Sequence, residues 1–276
     1  MEDSKIEWTH HTFNPWWGCV KVSPGCHGCY AEAMARRVGK QVWGAAASRW
    51  FFADKHWAEP VKWNREAEAA SERHRVFCAS MADVFEERDD LVPHRDRLWA
   101  LIRATPSLDW LLLTKRPENI ALMLPSDWGR GYDNVWLGTT VESRAYYGRV
   151  AALAAVPARV RFLSVEPMLE AMPDLPLGGI DWVIVGGESG PRHRQMSVDW
   201  ARQVRDRCLS ARVSFFFKQW GGAQPKSGGR DLDGRMWDEF PTPKHRLSEM
   251  AEKVIWALRM HPELLVEVRD ALALEP

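Results

Sequence analysis

The chain has 276 residues, with 37 basic and 37 acidic side chains. This neutral balance gives no global sign of duplex binding and leaves only local basic patches to consider. No apolar run approaches the roughly 18 residues of a membrane span, so a soluble protein with no membrane partner is expected. Five cysteines, an odd number, behind an acidic N-terminus without a signal segment, point to thiol or metal chemistry in the cytoplasm instead of a disulfide framework.

A short strand is expected near Trp8 to Phe13. Directly after it, Cys19, Cys26 and Cys29 stand on one Pro/Gly-containing loop that runs to Tyr30. A disulfide would leave one thiol over, and both a closed zinc site and a fully ligated iron–sulfur cluster need a fourth ligand. Two readings are therefore open. One is a zinc knuckle completed by His10, His11 or His27, which would make the chain a zinc-stabilised nucleic-acid-binding protein. The other is a cluster with one iron left open for a substrate or cofactor. Cys29 to Val38 reads as a helix with Arg36 and Arg37 at its C-terminus and Gly39 as its stop. Between Gln41 and Ala70 the aromatic residues Trp43, Trp50, Phe51, Phe52, Trp57 and Trp63 show no sustained period. An irregular cover over the core is expected there, with a short charged helix near Asn64 to Glu72.

From Arg75 onward the pattern is regular. Apolar runs at Arg75 to Met81, Trp110 to Thr114, Val135 to Thr140, Val160 to Val165, Trp182 to Val185 and Val213 to Phe217 alternate with helical patterns at Val92 to Arg103, Ala145 to Ala155 and Val198 to Leu209. The alternation predicts an α/β fold with a parallel sheet of six or seven strands, either an open doubly wound sheet or a partial TIM-type barrel. Nearly every run ends in polar or glycine residues: Ser80, Lys115, Thr140 and Glu142, Ser164 and Glu166, Gly187 and Glu188, Lys218. In a parallel α/β barrel these ends converge on one mouth, where such enzymes keep their chemistry. The expected organisation is a partial barrel over residues 1–223. Residues 224–276 would form a Gly/Pro/Asp-rich flap followed by a C-terminal helical extension between Leu247 and Leu274, packed on the barrel.

Several residues qualify for roles at that mouth. Gly186-Gly187-Glu188 can let a ligand approach the backbone while the carboxylate takes an amino group, or can be simple turn chemistry. Arg192, His193 and Arg194 make the most concentrated basic patch and, with Lys218, are candidates for phosphate contact; a solvated loop has the same composition. Cys78 stands two residues before Ser80, so in an extended strand the two share a face, and a thiol and a hydroxyl would stand together. The alternative for Cys78, and the expectation for Cys208, is a small buried hydrophobe.

With these residues assembled, the chain resembles the radical S-adenosylmethionine superfamily, and within it a phage and bacterial three-cysteine-motif family related to spore photoproduct lyase. The resemblance implies that Cys19, Cys26 and Cys29 bind a 4Fe-4S cluster inside a partial barrel. Its open iron would hold S-adenosyl-L-methionine, whose reductive cleavage yields a 5′-deoxyadenosyl radical. The cysteine gaps here are six and two residues, where the superfamily's common ones are three and two, and Gly28 stands where an aromatic residue often precedes the last cysteine. Tyr30 directly after that cysteine, Cys78-Ala79-Ser80 and Thr114-Lys115 are similar to elements of the lyase. They imply a hydrogen-donating Cys78, a radical-relaying Tyr30, and cofactor contacts from Ser80 and from Lys115, the latter to the cofactor carboxylate. Thr140, Glu142, Ser164, Glu166, Gly187 and Glu188 would complete the cofactor set. The implied activity is repair of ultraviolet-induced thymine photoproducts in lesion-containing DNA, with an electron donor such as flavodoxin or ferredoxin. The alternative is modification of a nucleobase in DNA or RNA, in which Cys78 is incidental.

Overall fold

The structure is a computed structural model that describes residues 4–224 and 226–243. The helices expected between Leu247 and Leu274 lie outside the described residues. Met1–Pro241 forms one compact unit. In chain order its strands are β1 (His11–Thr12), β2 (Trp16–Trp17), β3 (Trp50–Phe51), β4 (His74–Cys78), β5 (Leu108–Thr114), β6 (Val135–Thr140), β7 (Val160–Val165), β8 (Trp182–Gly186) and β9 (Ser214–Gln219). The α-helices are α1 (Tyr30–Arg37), α2 (Asp54–Trp57), α3 (Glu59–Ala69), α4 (Val92–Arg103), α5 (Ile120–Met123), α6 (Gly148–Ala154) and α7 (Val198–Ala211).

Seven strands pair in the order β1-β4-β5-β6-β7-β8-β9, every neighbouring pair parallel. This is the expected partial barrel, a curled sheet with β1 and β9 as its edges. Side chains alternate between two buried layers, as a strand period of two requires. One layer contains Phe77, Leu111, Trp136, Phe162, Trp182, Ile184 and Phe216. The other contains Val76, Cys78, Leu112, Leu137, Leu163, Val183 and Phe217, packed with Leu98 and Ile102 of α4, Val150 and Leu153 of α6 and Val204 of α7. Burial on both faces explains why the strands read as continuous apolar runs.

The aromatic segment after α1 is more ordered than its sequence indicates. Trp16 and Trp17 pair antiparallel with Phe51 and Trp50. The intervening chain is organised by buried Arg49, which donates to both carboxylate oxygens of Glu86 at 3.1 and 2.6 Å and to the carbonyls of Val42, Gly44 and Ala47. Helix α3 starts at Glu59, earlier than expected, because Pro60 occupies its first turn. The flap expected from Gln224 packs against the sheet up to Phe240. Trp237 accepts a bond from Phe217 N at 2.9 Å, and Asp238 bridges Phe216 in antiparallel sense.

A candidate cofactor cavity at the mouth of the half-barrel

The carboxyl ends of the strands open into a cavity of about 480 Å³, within the range of small-molecule and cofactor sites. Its wall continues the aromatic layer one pleat further along each strand. Leu111 leads to Leu113 and Lys115, Phe162 to Ser164 and Glu166, and Phe216 to Lys218, all on the cavity. Ser80, Thr140, Gly187 and Glu188 also line it, as do Cys19, Cys26, Cys29 and Tyr30. Among the expected site residues, these twelve meet at one place.

The three cysteines arrive from different local structures. Cys19 follows Gly18, whose N–H donates to Met81 O at 3.0 Å and ties the loop to the chain just beyond β4. Cys26 ends a short 3-10 turn, Pro24–Cys26, with its sulfur 3.7 Å from Ser23 Oγ. Cys29 is the N-terminal cap of α1. Burial pushes its thiol above the ordinary value, opposed by the backbone N–H groups of Glu32 and Ala31 and by Lys115. Burial, reinforced by Asp83, pushes the Cys19 thiol up to about 12, with Arg116 opposing.

Two carboxylates press on the cysteine loop at glycines. A Cβ at Gly28 would lie 2.6 Å from Glu188 Oε1, so a side chain there would require the Glu188 carboxylate to shift. Glu188 itself is held by Arg194, whose Nε and Nη2 donate to its two oxygens at 2.7 and 2.5 Å; Nη2 also reaches Pro24 O at 3.3 Å. The side-chain bonds from Arg194 hold Glu188 below the usual carboxylate range. At the second glycine, a Cβ on Gly25 would meet Glu142 at 3.1 Å. Glu142 is fully buried behind the loop, off the cavity wall; its Oε2 accepts from Arg149 at 2.8 Å, and its Oε1 has no partner among the described residues.

Other expected residues sit differently from their anticipated roles. Cys78 does not share the cavity face with Ser80. Strand β4 ends at Cys78, whose side chain belongs to the helix-facing layer while Phe77 faces the cavity. The thiol is fully buried, and that burial pushes its pKa well above the ordinary value. Arg192 and His193 do not line the cavity, and Arg194 is committed to Glu188, so the basic patch secures the loop instead of presenting a row of free cations. Lys218 forms an ion pair with Glu166 at 2.9 Å. Lys115 donates to Thr140 Oγ1 at 3.2 Å and has no carboxylate partner among the described residues. Tyr30 is 56% exposed, with its hydroxyl donating to Ser80 O at 3.0 Å.

Sequence reasoning missed four contributors. Trp8 and Trp43 are cavity walls, and Lys226 reaches over from the flap. Arg116, next to Lys115 at the end of β5, sends Nη1 to within 3.7 Å of Cys19 Sγ. Its place at a strand end was a usable signal; the tryptophans, without a period, offered none.

A single tetrahedral zinc gathers its thiols to roughly 4 Å from one another, given metal–sulfur bonds of about 2.3 Å. No three Cys, His, Asp or Glu side chains among the described residues converge in that way. Of the histidines expected as completing a zinc knuckle, His10 stacks on His74 at the amino end of β4, His11 stacks on Trp63, and exposed His27 is off the cavity wall. Three thiols lining one cavity are donors of the type that zinc and iron–sulfur clusters both take, and polar side chains line the same wall.

These features define an α/β half-barrel with a thiol-lined cavity at its carboxyl mouth. The chain belongs to the family described as "Protein of unknown function (DUF5131)", whose model matches residues 3–241. No curated protein matches the chain. Among solved structures it is similar to a cysteine-to-serine mutant of spore photoproduct lyase, with 15% identity over 94% of this chain and 76% of that one and a TM-score of 0.49.

Proposed function

We propose that this protein is a radical S-adenosylmethionine enzyme that uses a 4Fe-4S cluster to modify a nucleobase in DNA or RNA, drawing electrons from a small donor such as flavodoxin or ferredoxin. One observation carries the reading: Cys19, Cys26 and Cys29 line the same cavity as Ser80, Lys115, Thr140, Ser164 and Glu166. Bound to the three thiolates, the cluster and its ligand would supply reductive cleavage of a carbon–sulfur bond as a radical source. The chain's own residues would orient that ligand. Lys115, with no carboxylate partner among the described residues, offers a cation for a carboxylate, and the Thr140 and Ser164 hydroxyls stand close by. Trp8 and Phe77 close the apolar side of the cavity, and Trp43 with Tyr30 offers aromatic surface on which an extruded base can stack.

Repair of a thymine photoproduct is the narrower form of this reading and needs a hydrogen donor in the cavity. Cys78, turned into the helix-facing core, favours modification over repair. The test is anaerobic reconstitution with iron and sulfide, followed by metal analysis and incubation with S-adenosylmethionine and either undamaged or lesion-containing nucleic acid. The expected outcome is a brown protein with a broad band at roughly 400 nm, where zinc is silent, and a nucleobase mass shift in undamaged substrate. A colourless zinc protein sinks the proposal; lesion reversal without a new base restores the repair form.

A further inference from the structure

The first cysteine poses a positioning problem. Cys26 and Cys29 are fixed by a 3-10 turn and a helix start with only His27 and Gly28 between them, but six residues separate Cys19 from Cys26, so that turn does not hold Cys19. Something else must fix its sulfur.

Arg116 is the residue in place to do so. It is only 8% exposed. Its Nη2 donates to Val20 O at 2.7 Å, next in sequence to the cysteine, and its Nη1 lies 2.9 Å from Asp83 Oδ2 and 3.7 Å from Cys19 Sγ. Asp83 is in turn saturated. Its Oδ1 accepts from Thr114 Oγ1 at 2.7 Å and Phe85 N at 3.0 Å, and its Oδ2 also accepts from Lys115 N at 3.1 Å. A buried guanidinium is costly unless its charge is paired and its N–H groups are used. Here Nη1 serves both the Asp83 carboxylate and the sulfur, and Nη2 serves the adjoining carbonyl. The planar fork makes both contacts at once, which an ammonium cannot reproduce.

We propose that Arg116 is the positioning residue of the first cluster ligand, fixing Cys19 and, through its N–H contact with the sulfur, raising the reduction potential of the group that the thiolate holds. The inference rests on the iron–sulfur reading above. Hydrogen bonds to cluster sulfurs and nearby charge set such potentials, and loss of a partner outside the ligand shell typically costs 10- to 100-fold in metal affinity.

The experiment compares wild type, Arg116→Gln and Arg116→Lys after anaerobic reconstitution. It measures iron loss to a chelator and the cluster midpoint potential, followed by electron paramagnetic resonance. Arg116→Gln is expected to lose iron on the order of 10- to 100-fold faster and to show a more negative potential. Arg116→Lys, which keeps a charge opposite Asp83 but not the fork, is expected to shift in the same direction by less. If Arg116→Gln does not fold, Arg116→Lys carries the test through its own potential. An unshifted potential, even with faster iron loss, means a merely structural arginine and overturns the proposal. Wild-type protein that takes up no cluster overturns the iron–sulfur reading itself and this inference with it, so the two failures are distinguishable.

Discussion

Cys78 and Phe77 are neighbours in β4 with opposite surroundings, the ring on the cavity and the thiol among helix-facing apolar side chains. A desolvated thiol resists ionisation, and burial keeps Cys78 protonated at neutral pH and inert as a nucleophile. Replacing it should therefore act on packing alone. Cys78→Ala is expected to leave the reaction product and its yield unchanged and to cost about 1 kcal/mol of stability, the centre of the range for single substitutions. Product analysis by mass spectrometry together with urea denaturation checks both halves. An altered or adducted product would return Cys78 to the chemistry and revive the repair reading.

At the scale of elements, β1 and β4 meet at their amino ends in a group of three imidazoles, remote from the cavity. His11 and His74 stand 3.2 Å apart, Nε2 to Nδ1, and the His10 and His74 rings stack at 5.0 Å. His10 Nδ1 accepts a bond from Arg75 N at 2.8 Å, which a protonated ring nitrogen could not do. Although the side chain is exposed, desolvation of its ring, with Arg75, His74 and His11 close by, lowers the His10 pKa from 6.5 to about 4. The unfolded chain thus takes up a proton near 6.5 that the folded chain refuses until about 4. This contribution to stability is complete above pH 6.5 and lost as pH falls through that window. His10→Asn keeps an acceptor for Arg75 N without a titrating ring, and is expected to flatten the decline between pH 7 and pH 5 in urea titrations. The long parallel strands and their polar ends are legible in the sequence because burial on both faces leaves unbroken apolar runs, as at Leu108–Thr114. The pairing of β2 with β3 is not. Two-residue strands carry no period, and Trp16, Trp17 and Trp50 meet only through tertiary contacts. Cys78 and Ser80 do not share a face for a related reason: the alternation holds only while the strand continues, and β4 stops at Cys78, which leaves it the small buried hydrophobe of the alternative reading.

At the scale of the whole unit, a seven-strand half-barrel has an open side between β1 and β9, and an exposed apolar interior there would invite association. Aromatic residues from both flanks of the sheet seal it. Trp8, just before β1, lies 4.6 Å from Phe77 of β4 and 6.2 Å from Trp182 of β8, ring centre to ring centre. Phe240, beyond β9, packs on Trp182 at 5.2 Å and under the guanidinium of Arg75 at 4.0 Å. Above them, Lys226 pairs with Glu7 at 2.6 Å and donates to Lys5 O, fastening the flap to the N-terminal segment at the cavity rim. That partly exposed pair contributes about 0–1 kcal/mol, so the seal depends on the aromatic residues. Trp8 is 2% exposed, and Trp8→Ala is expected to cost about 3–5 kcal/mol, the range for emptying a buried aromatic site. It would also open the cavity toward β1. The measurement is denaturant unfolding combined with hydrogen exchange. Faster exchange concentrated in β1, β4 and β8 supports a seal across the gap. A loss under 1 kcal/mol with unchanged exchange there would mean that the sheet edges hold without it.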